Sequence, residues 1–366
     1  MATVADQDLR FTSLPHPAPT LAEARTAILA NPGFGTNFSD HMVSMDWDEG
    51  RGWHNATVGP RQPIALDPAA AVLHYAQEIF EGLKAYRQPD GSVALFRPQA
   101  NAARFNQSAE RLAMPALPEA LFIESIRQLV RADRDWFPSV EGGTLYLRPF
   151  MIATEAFLGV RPAKQYKFLV IASPAGNYFK SGAPAVSIWV SDYTRAAPGG
   201  TGAAKCGGNY AASLVPQAEA IARGHDQVVF LDAAEHKWIE ELGGMNLYFA
   251  MDDGSLITPP LSGTILPGIT RDSIMQLARE EGLEVREERY SLDQWREDAA
   301  SGKLVEAFAC GTAAVVTPVG RVCGREGDFT VGGGGPGQLT QRLKARLVAI
   351  QSGEMADRHG WMMQLD

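Results

Sequence analysis

Cysteine is scarce: Cys206, Cys310 and Cys323 are an odd, widely spaced set in 366 residues. With no CxxC pair among them, neither a disulfide framework nor a zinc-finger spacing is expected, and a reducing, cytoplasmic setting is. The seven histidines contain no HExxH or comparable ligand spacing, so no metal site is expected. Basic charge is also short. The 33 Lys and Arg face 42 Asp and Glu, for a formal net charge of −9. That balance argues against a nucleic-acid or anionic-membrane surface while leaving room for a local basic pocket. No apolar run approaches the ~18–20 residues that cross a bilayer, so no membrane partner is expected. The first residues, Met1-Ala2-Thr3-Val4-Ala5-Asp6, offer neither the basic start nor the apolar core of a secretory signal.

What remains is the composition of a globular protein, 45% hydrophobic and 20% charged. Its length exceeds the ~250–300 residues at which single cores stop growing, so two domains are expected. Residues 1–172 read as a smaller α+β domain that begins with an arm over 1–33. The Gly/Pro/Ser-rich stretch 173–184 reads as a linker, and 185–366 as a larger domain. Val43, Met45 and Trp47 alternate like a strand, and 71–97 reads as further strands around Tyr75 and Phe80. Helices are expected over Asn101–Met114, with Ala103, Phe105 and Leu112 as apolar markers, and over Glu119–Trp136, with Phe122, Ile126, Leu129 and Val130 on one stripe. Strands follow at Thr144–Ala153, Tyr166–Ala172, Val186–Ser191, Gln227–Leu231, Asn246–Met251 and Leu304–Phe308. Helices are expected at Ala211–Arg223, Thr270–Glu281, Leu292–Ala300 and Gln338–Gln351. The fold class is therefore α+β or mixed α/β, without a repeating βαβ wheel.

Three patterns invite chemistry that the surrounding residues do not support. Gly332 to Gly337 fits GxGxxG between a strand and a helix, but only about thirty residues follow, too few for a nucleotide-binding βαβ unit. It reads as a flexible loop. Gly199–Lys205 is not a phosphate-binding Walker loop, because Ala204 precedes the lysine and Cys206 follows it. Glu240 and Glu241 would point to opposite faces of a strand, so they cannot flank one glycosidic bond.

Lys205-Cys206-Gly207-Gly208-Asn209-Tyr210 is the stretch around which the chain is organised. A lysine among glycines can be approached closely by a bound molecule. If partly desolvated, its amine becomes available to attack a carbonyl. A solvated lysine on a surface loop is the plain alternative.

Several further segments accompany it in order: Leu73-His74-Tyr75 through Phe80-Glu81-Gly82-Leu83-Lys84-Ala85-Tyr86, Leu95-Phe96-Arg97-Pro98 with Asn101 and Arg104, and Leu145–Pro149. Glu241–Asn246, Thr258–Leu261 with Ile265–Arg271, and Gly311–Ala314 complete the set. Together, over roughly 34–318, they resemble the branched-chain aminotransferases, pyridoxal 5′-phosphate (PLP) enzymes of fold type IV. The resemblance implies reversible, ping-pong amino transfer between leucine, isoleucine or valine and 2-oxoglutarate. Lys205 would form the Schiff base with PLP and shuttle the α-proton. Glu241 would pair with the pyridine nitrogen, which keeps the ring an effective electron sink. Tyr210 would hydrogen-bond the ring oxygen. Arg104, the helix start at Gly268, Ile269 and Thr270, and Thr312 would hold the phosphate.

For the substrate, the resemblance implies walls at Phe34, Tyr146, Tyr178 and Val160, polar edges at Tyr75 and Arg148, and a carboxylate-holding turn at Ala313 and Ala314. It also implies a homodimer whose site is completed by a partner loop. Two departures stand out. Gly244 replaces a threonine of the mammalian members, and Ala314 and Thr317 occupy the places of their redox CxxC pair, so no thiol switch is expected there. Another fold-type IV enzyme, a D-amino-acid transaminase or aminodeoxychorismate lyase, is the near alternative. A non-catalytic nucleotide-binding protein is the remote one.

Overall fold

The computed structural model describes residues 9–176 and 185–365. These fall into two compact units: 9–176 with 204–207 and 351–365, and 185–203 with 208–350. The expected division placed everything after 184 in one domain; two segments group otherwise. Residues 204–207 join the first unit because Lys205 is hydrogen-bonded to Phe80 and Ser108. The chain end joins it because Met362–Gln364 pairs antiparallel with Val93–Phe96. The expected linker is also shorter at its start. Ser173, Pro174 and Ala175 end the strand Gln165–Ala175 and pair with Tyr146, Leu145 and Thr144. Residues 177–184 lie outside the described ones.

The first unit is built on a nine-stranded sheet whose centre is Leu83–Arg87, Thr144–Ala153, Gln165–Ala175 and His41–Asp48, neighbours in that order, with Glu78–Phe80 also paired to Thr144–Ala153. Alternation along His41–Asp48 puts Val43 and Met45 into the main core and Met42 on the other face. The helix Glu119–Ala132 buries Leu121, Phe122, Ile126, Leu129 and Val130 at helical spacing. Phe105, Phe122 and Phe168 meet at centroid distances of 5.5–6.2 Å, and truncating such a buried ring costs about 3–5 kcal/mol.

Two local expectations for this unit are revised. Ala71–Tyr75 is a short helix rather than a strand. Asp67 accepts the Ala69 N–H at 2.8 Å, a turn that starts helical winding. In the helix Pro98–Arg111 the buried face carries Asn101, Arg104 and Ser108 beside Ala102, Phe105 and Ala109, whereas Ala103 is exposed. Polar residues turned inward need partners, and theirs belong to the site described below.

The second unit has its own nine-stranded sheet, ordered Ile239–Leu242, Gln227–Leu231, Val186–Val190, Val315–Cys323, Leu304–Gly311, Asn246–Met251, Ser255–Thr258 and Glu284–Glu287, with Phe329–Thr330 on Val315–Cys323. Its core centres on Phe249 and the fully buried Trp295, whose rings are 4.9 Å apart. Trp295 is delivered by the helix Leu292–Ser301, which starts at a Ser291/Gln294 capping box and ends at Gly302, φ 82°. The helix expected over Ala211–Arg223 forms as two pieces, Gly207–Ala211 and Leu214–Ala222. Pro216 has no N–H to continue a ladder and is tolerated only in a first turn, so the helix restarts there.

The glycine run at 332–337 is not the open loop expected. Side chains at Gly332 and Gly337 would collide with Val305 O and the Glu306 side chain. Glu306 accepts the Leu339 and Thr340 N–H groups at 2.9 and 2.8 Å, so the chain's own carboxylate caps the helix Gln338–Gln351. Among the described residues no helix is long and apolar enough to cross a membrane.

Candidate active site

In the first unit a lysine is held by its backbone while its amine lies against an aromatic ring. Phe80, at the end of the strand Glu78–Phe80, donates its N–H to Lys205 O at 3.0 Å. Lys205 N–H donates to Ser108 Oγ at 2.9 Å, and Ser108 Oγ–H donates to Arg104 O at 3.0 Å. Lys205 is half-buried, with Nζ 4.9 Å from the centroid of the Phe80 ring.

Beside this amine lies Glu81, fully buried. It accepts two hydrogen bonds from Arg104, Nε at 2.7 Å and Nη2 at 2.9 Å, and one from Asn101 Nδ2 at 2.8 Å. Burial pushes the Glu81 carboxyl upward, but Arg104, Lys205 and Asn101 outweigh it and hold the group below the usual carboxylate range. The sequence reading gives Glu81 no role. Its signal is an acid between Phe80 and Gly82, at the junction of two short strands, with an inward-facing Asn and Arg one helical turn apart. Arg104, expected as a phosphate ligand, has its immediate partner in this carboxylate.

A second group of expected residues comes together on the same unit. Phe34 and Tyr146 meet edge to face at 5.0 Å. Arg148 Nη2 donates to Tyr146 Oη at 3.2 Å, and its guanidinium stands 4.8 Å over Phe80. Gly82 makes this possible, because a Cβ there would collide with the Tyr146 hydroxyl. Arg148 Nε is buried without a hydrogen-bond partner, a donor for which an anionic ligand would supply the acceptor. Tyr75 and Val160 have a different setting. Tyr75 is 39% exposed and donates to Leu158 O at 2.5 Å; Val160 is 91% exposed. A residue walling a cavity in its own chain is covered, and Val160 is not. Tyr178 lies outside the described residues.

In the second unit Glu240 and Glu241 occupy adjacent positions of the strand Ile239–Leu242, both buried. Glu241 Oε1 pairs with Arg195 Nη2 at 2.6 Å, side chains 3% and 4% exposed. Glu240 takes the Thr264 hydroxyl at 2.5 Å; burial raises its carboxyl despite that bond and the nearby Arg195. Arg195 is thus the partner of Glu241 that the sequence reading does not find. Gly202 is required by close packing, since a Cβ would strike the backbone of Thr264. Asn209 closes this loop, donating to Thr201 O at 2.8 Å and accepting from Thr201 Oγ1 at 2.7 Å. Tyr210, half-buried, lies next to Gly244.

Gly268 caps the helix Ile269–Glu280, with Thr270 buried in its first turn. A side chain on Gly268 would fill the space taken by Asn246 Oδ1, while Asn246 Nδ2 donates to Leu266 O at 3.0 Å. A glycine-capped helix start presents backbone N–H groups to an anion. Thr312, Ala313 and Ala314 form the tight turn between Leu304–Gly311 and Val315–Cys323. Val315 leaves that turn at φ 62°. A β-branched residue in the left-handed region costs about 1–3 kcal/mol, so the pairing of the two flanking strands must hold this turn in its conformation.

The sequence profile of amino-transferase class IV matches residues 78–322. A branched-chain-amino-acid aminotransferase of Mycobacterium tuberculosis is 58% identical, covering 98% of this chain and 98% of its own. A probable branched-chain-amino-acid aminotransferase of Streptomyces coelicolor is 59% identical over 96% and 97% of the two chains. Among solved structures, an Escherichia coli branched-chain amino acid aminotransferase superposes with TM-score 0.74 at 31% identity, over 88% of this chain and 100% of that one. The T.th. branched-chain amino acid aminotransferase with pyridoxamine 5′-phosphate superposes with TM-score 0.73 at 28% identity, over 88% and 99%.

Proposed function

The chain belongs to the amino-transferase class IV family and has its mixed α/β, fold-type IV architecture, and from that premise we propose that it is a branched-chain-amino-acid aminotransferase using PLP. It exchanges amino groups between leucine, isoleucine or valine and 2-oxoglutarate. The observation that carries this reading is the half-buried Lys205, pinned through both backbone polar groups while its amine lies against Phe80.

The residues present fit the cofactor in kind. Lys205 supplies the amine and Glu241 a paired, buried carboxylate. Gly268, Ile269 and Thr270 offer the backbone N–H groups of a glycine-capped helix start to an anion. When bound, PLP would supply an aldehyde carbon and an electron-withdrawing ring. Lys205 Nζ would anchor the aldehyde end, then take the substrate's α-proton and return it. Arg195 would hold Glu241 in place opposite the ring nitrogen, and Tyr210 would orient the ring oxygen. Thr312 would add a hydroxyl to the phosphate cradle, and Arg104 would act there while holding Glu81 in place.

Phe34 and Tyr146 would cover an aliphatic side chain and exclude water. Arg148, with its unpartnered buried Nε, would take the distal carboxylate of 2-oxoglutarate. The N–H groups of Ala313 and Ala314 would hold the α-carboxylate. A homodimer is part of this reading, supported by the exposed Leu158 and Val160, which offer apolar surface for a neighbouring copy. Tyr75 belongs with that loop, through its bond to Leu158. Three free, buried thiols support a cytoplasmic setting.

The test is borohydride reduction of the purified protein followed by peptide mapping, with L-leucine and D-alanine assayed in parallel against 2-oxoglutarate. The expected result is a pyridoxyl tag on Lys205 and turnover of L-leucine. A tag elsewhere, or D-alanine as the better donor, contradicts it.

A further inference from the structure

The strand Glu78–Phe80 touches the lysine segment twice. Its far end donates the Phe80 N–H to Lys205 O. Its near end carries Glu78, whose carboxylate accepts the Gly207 N–H. Gly207 admits this bond only because it has no side chain, since a Cβ would collide with Glu78 Oε1. The strand itself is fixed: Glu78, Ile79 and Phe80 pair with Ile152, Met151 and Phe150, and Ala76, at φ 46°, turns the chain out of the preceding helix.

We propose that Glu78 is a positioning residue for Lys205: its carboxylate clamps the turn two residues beyond the lysine and so sets the direction in which the amine is presented. This rests on the reading of Lys205 given above. The physical case has two parts. A glycine-rich segment has little stiffness of its own, so the orientation of a side chain on it is set by outside bonds. Of the bonds that reach this segment from outside, those with Phe80 N–H and Ser108 Oγ act at the lysine, and that with Glu78 acts beyond it. A hydrogen bond to a carboxylate is also among the stronger ones available. The second part concerns the ionised state of the clamp. Burial raises the Glu78 carboxyl above the usual carboxylate range, and Gly207 and the Arg148 guanidinium offset only part of that. Arg148 therefore serves two ends, as counter-charge to the clamp and as neighbour of Tyr146.

The experiment compares wild type, Glu78→Ala and Glu78→Gln in the holoenzyme, reading hydrogen exchange of the Gly207 amide together with kcat and KM for leucine. Glutamine keeps an acceptor for Gly207, whereas alanine does not. In Glu78→Ala the amide is expected to exchange about tenfold faster, as loss of a charge-assisted bond implies. There kcat should fall about tenfold to a hundredfold with KM changed little, as misaimed reacting groups produce. In Glu78→Gln both should stay near wild type. Unchanged exchange in Glu78→Ala overturns the clamp, and so does a glutamine variant as impaired as the alanine one. If Glu78→Ala does not fold, Gly207→Ala reads the same bond: its methyl displaces the carboxylate and should reproduce the kcat loss. Wild-type kcat in Gly207→Ala would likewise overturn it. The exchange measurement needs no turnover. A protein without transaminase activity but with the expected exchange would reject the functional reading and leave the clamp standing.

Discussion

Arg104 grips Glu81 with two prongs, Nε on Oε1 at 2.7 Å and Nη2 on Oε2 at 2.9 Å, with both side chains buried. Removing one partner of such a pair strands the other charge in the interior, which costs about 3–5 kcal/mol. Arg104→Ala is therefore expected to lower unfolding free energy by that amount before any loss of cofactor affinity is considered. Urea denaturation checks it, and a cost under about 1 kcal/mol, the level of an exposed pair, would refute it. The acid limb follows from linkage. Glu81 is held below the usual range when folded, so its contribution is complete above the unfolded value of about 4.3 and disappears as pH falls through the folded one. In Arg104→Ala the decline of stability toward acid should be shallower than in wild type.

Glu241 and Arg195 form a second buried ion pair, Oε1 to Nη2 at 2.6 Å, in the second unit, and there the two partners should separate by phenotype. Glu241→Gln keeps size but loses the charge opposite the proposed ring nitrogen. Losing about 3 kcal/mol of charge stabilisation corresponds to about a hundredfold in kcat, with melting temperature changed little. Arg195→Met leaves Glu241 buried without its cation and should cost stability first, by about 3–5 kcal/mol. Steady-state kinetics and thermal melts on both variants check this. Equal effects on kcat and on melting in the two would show that the pair is only structural.

Both pairs show where reading a sequence stops. Thr144–Ala153, Gln227–Leu231, Asn246–Met251 and Gln338–Gln351 are legible to the residue, because their apolar periodicity coincides with the burial that tertiary structure imposes. Lys205 and Glu241 are legible as members of a resemblance. Their partners are not: Glu81 meets Arg104 across 23 positions, and Arg195 comes to Glu241 from a different loop. Nothing local encodes such pairings. The strand Val315–Cys323 escapes the pattern for another reason. It contains Pro318 and Gly320, residues that argue against a strand, yet Pro318 pairs with Phe308 in mid-sheet and Gly320 makes room for Gly334 O.

The three cysteines should be silent. Cys206, Cys310 and Cys323 are buried. Burial pushes the Cys310 thiol up to about 12, and burial with Asp328 raises that of Cys323. Against a free cysteine near 8.5, thiolate at Cys310 is rarer by about 10³-fold at mild pH. Iodoacetamide labelling of the native protein, followed by mass spectrometry, should leave Cys310 unmodified until denaturant is added. Diamide should leave activity unchanged, in keeping with Ala314 and Thr317 at the positions of the mammalian thiol pair. Oxidation-dependent loss of activity that a reductant restores would contradict both points.

The glycine run at 332–337 gives the sharpest contrast between motif and packing. A nucleotide fingerprint uses glycines so that a phosphate can approach a helix N-terminus. Here they let Glu306 do so: Gly337 lies against its side chain, and Leu339 and Thr340 donate their N–H groups to its carboxylate. The anion position is filled from within the chain, and a second anion would meet a like charge. Adding ATP or NAD should therefore leave the melting temperature unchanged, whereas a nucleotide site of even modest affinity would raise it by mass action. Gly337→Ala should be costly, because its methyl must displace a carboxylate that is fixed by three hydrogen bonds, including one from Thr340 Oγ1 at 2.7 Å. The expected loss is about 1–3 kcal/mol, as for other overpacking substitutions. Gly333→Ala, where a Cβ meets nothing within 4 Å, should cost far less. If the two variants are equally stable, the close packing of Gly337 on Glu306 does not hold this turn, and the run is the open loop its composition suggests.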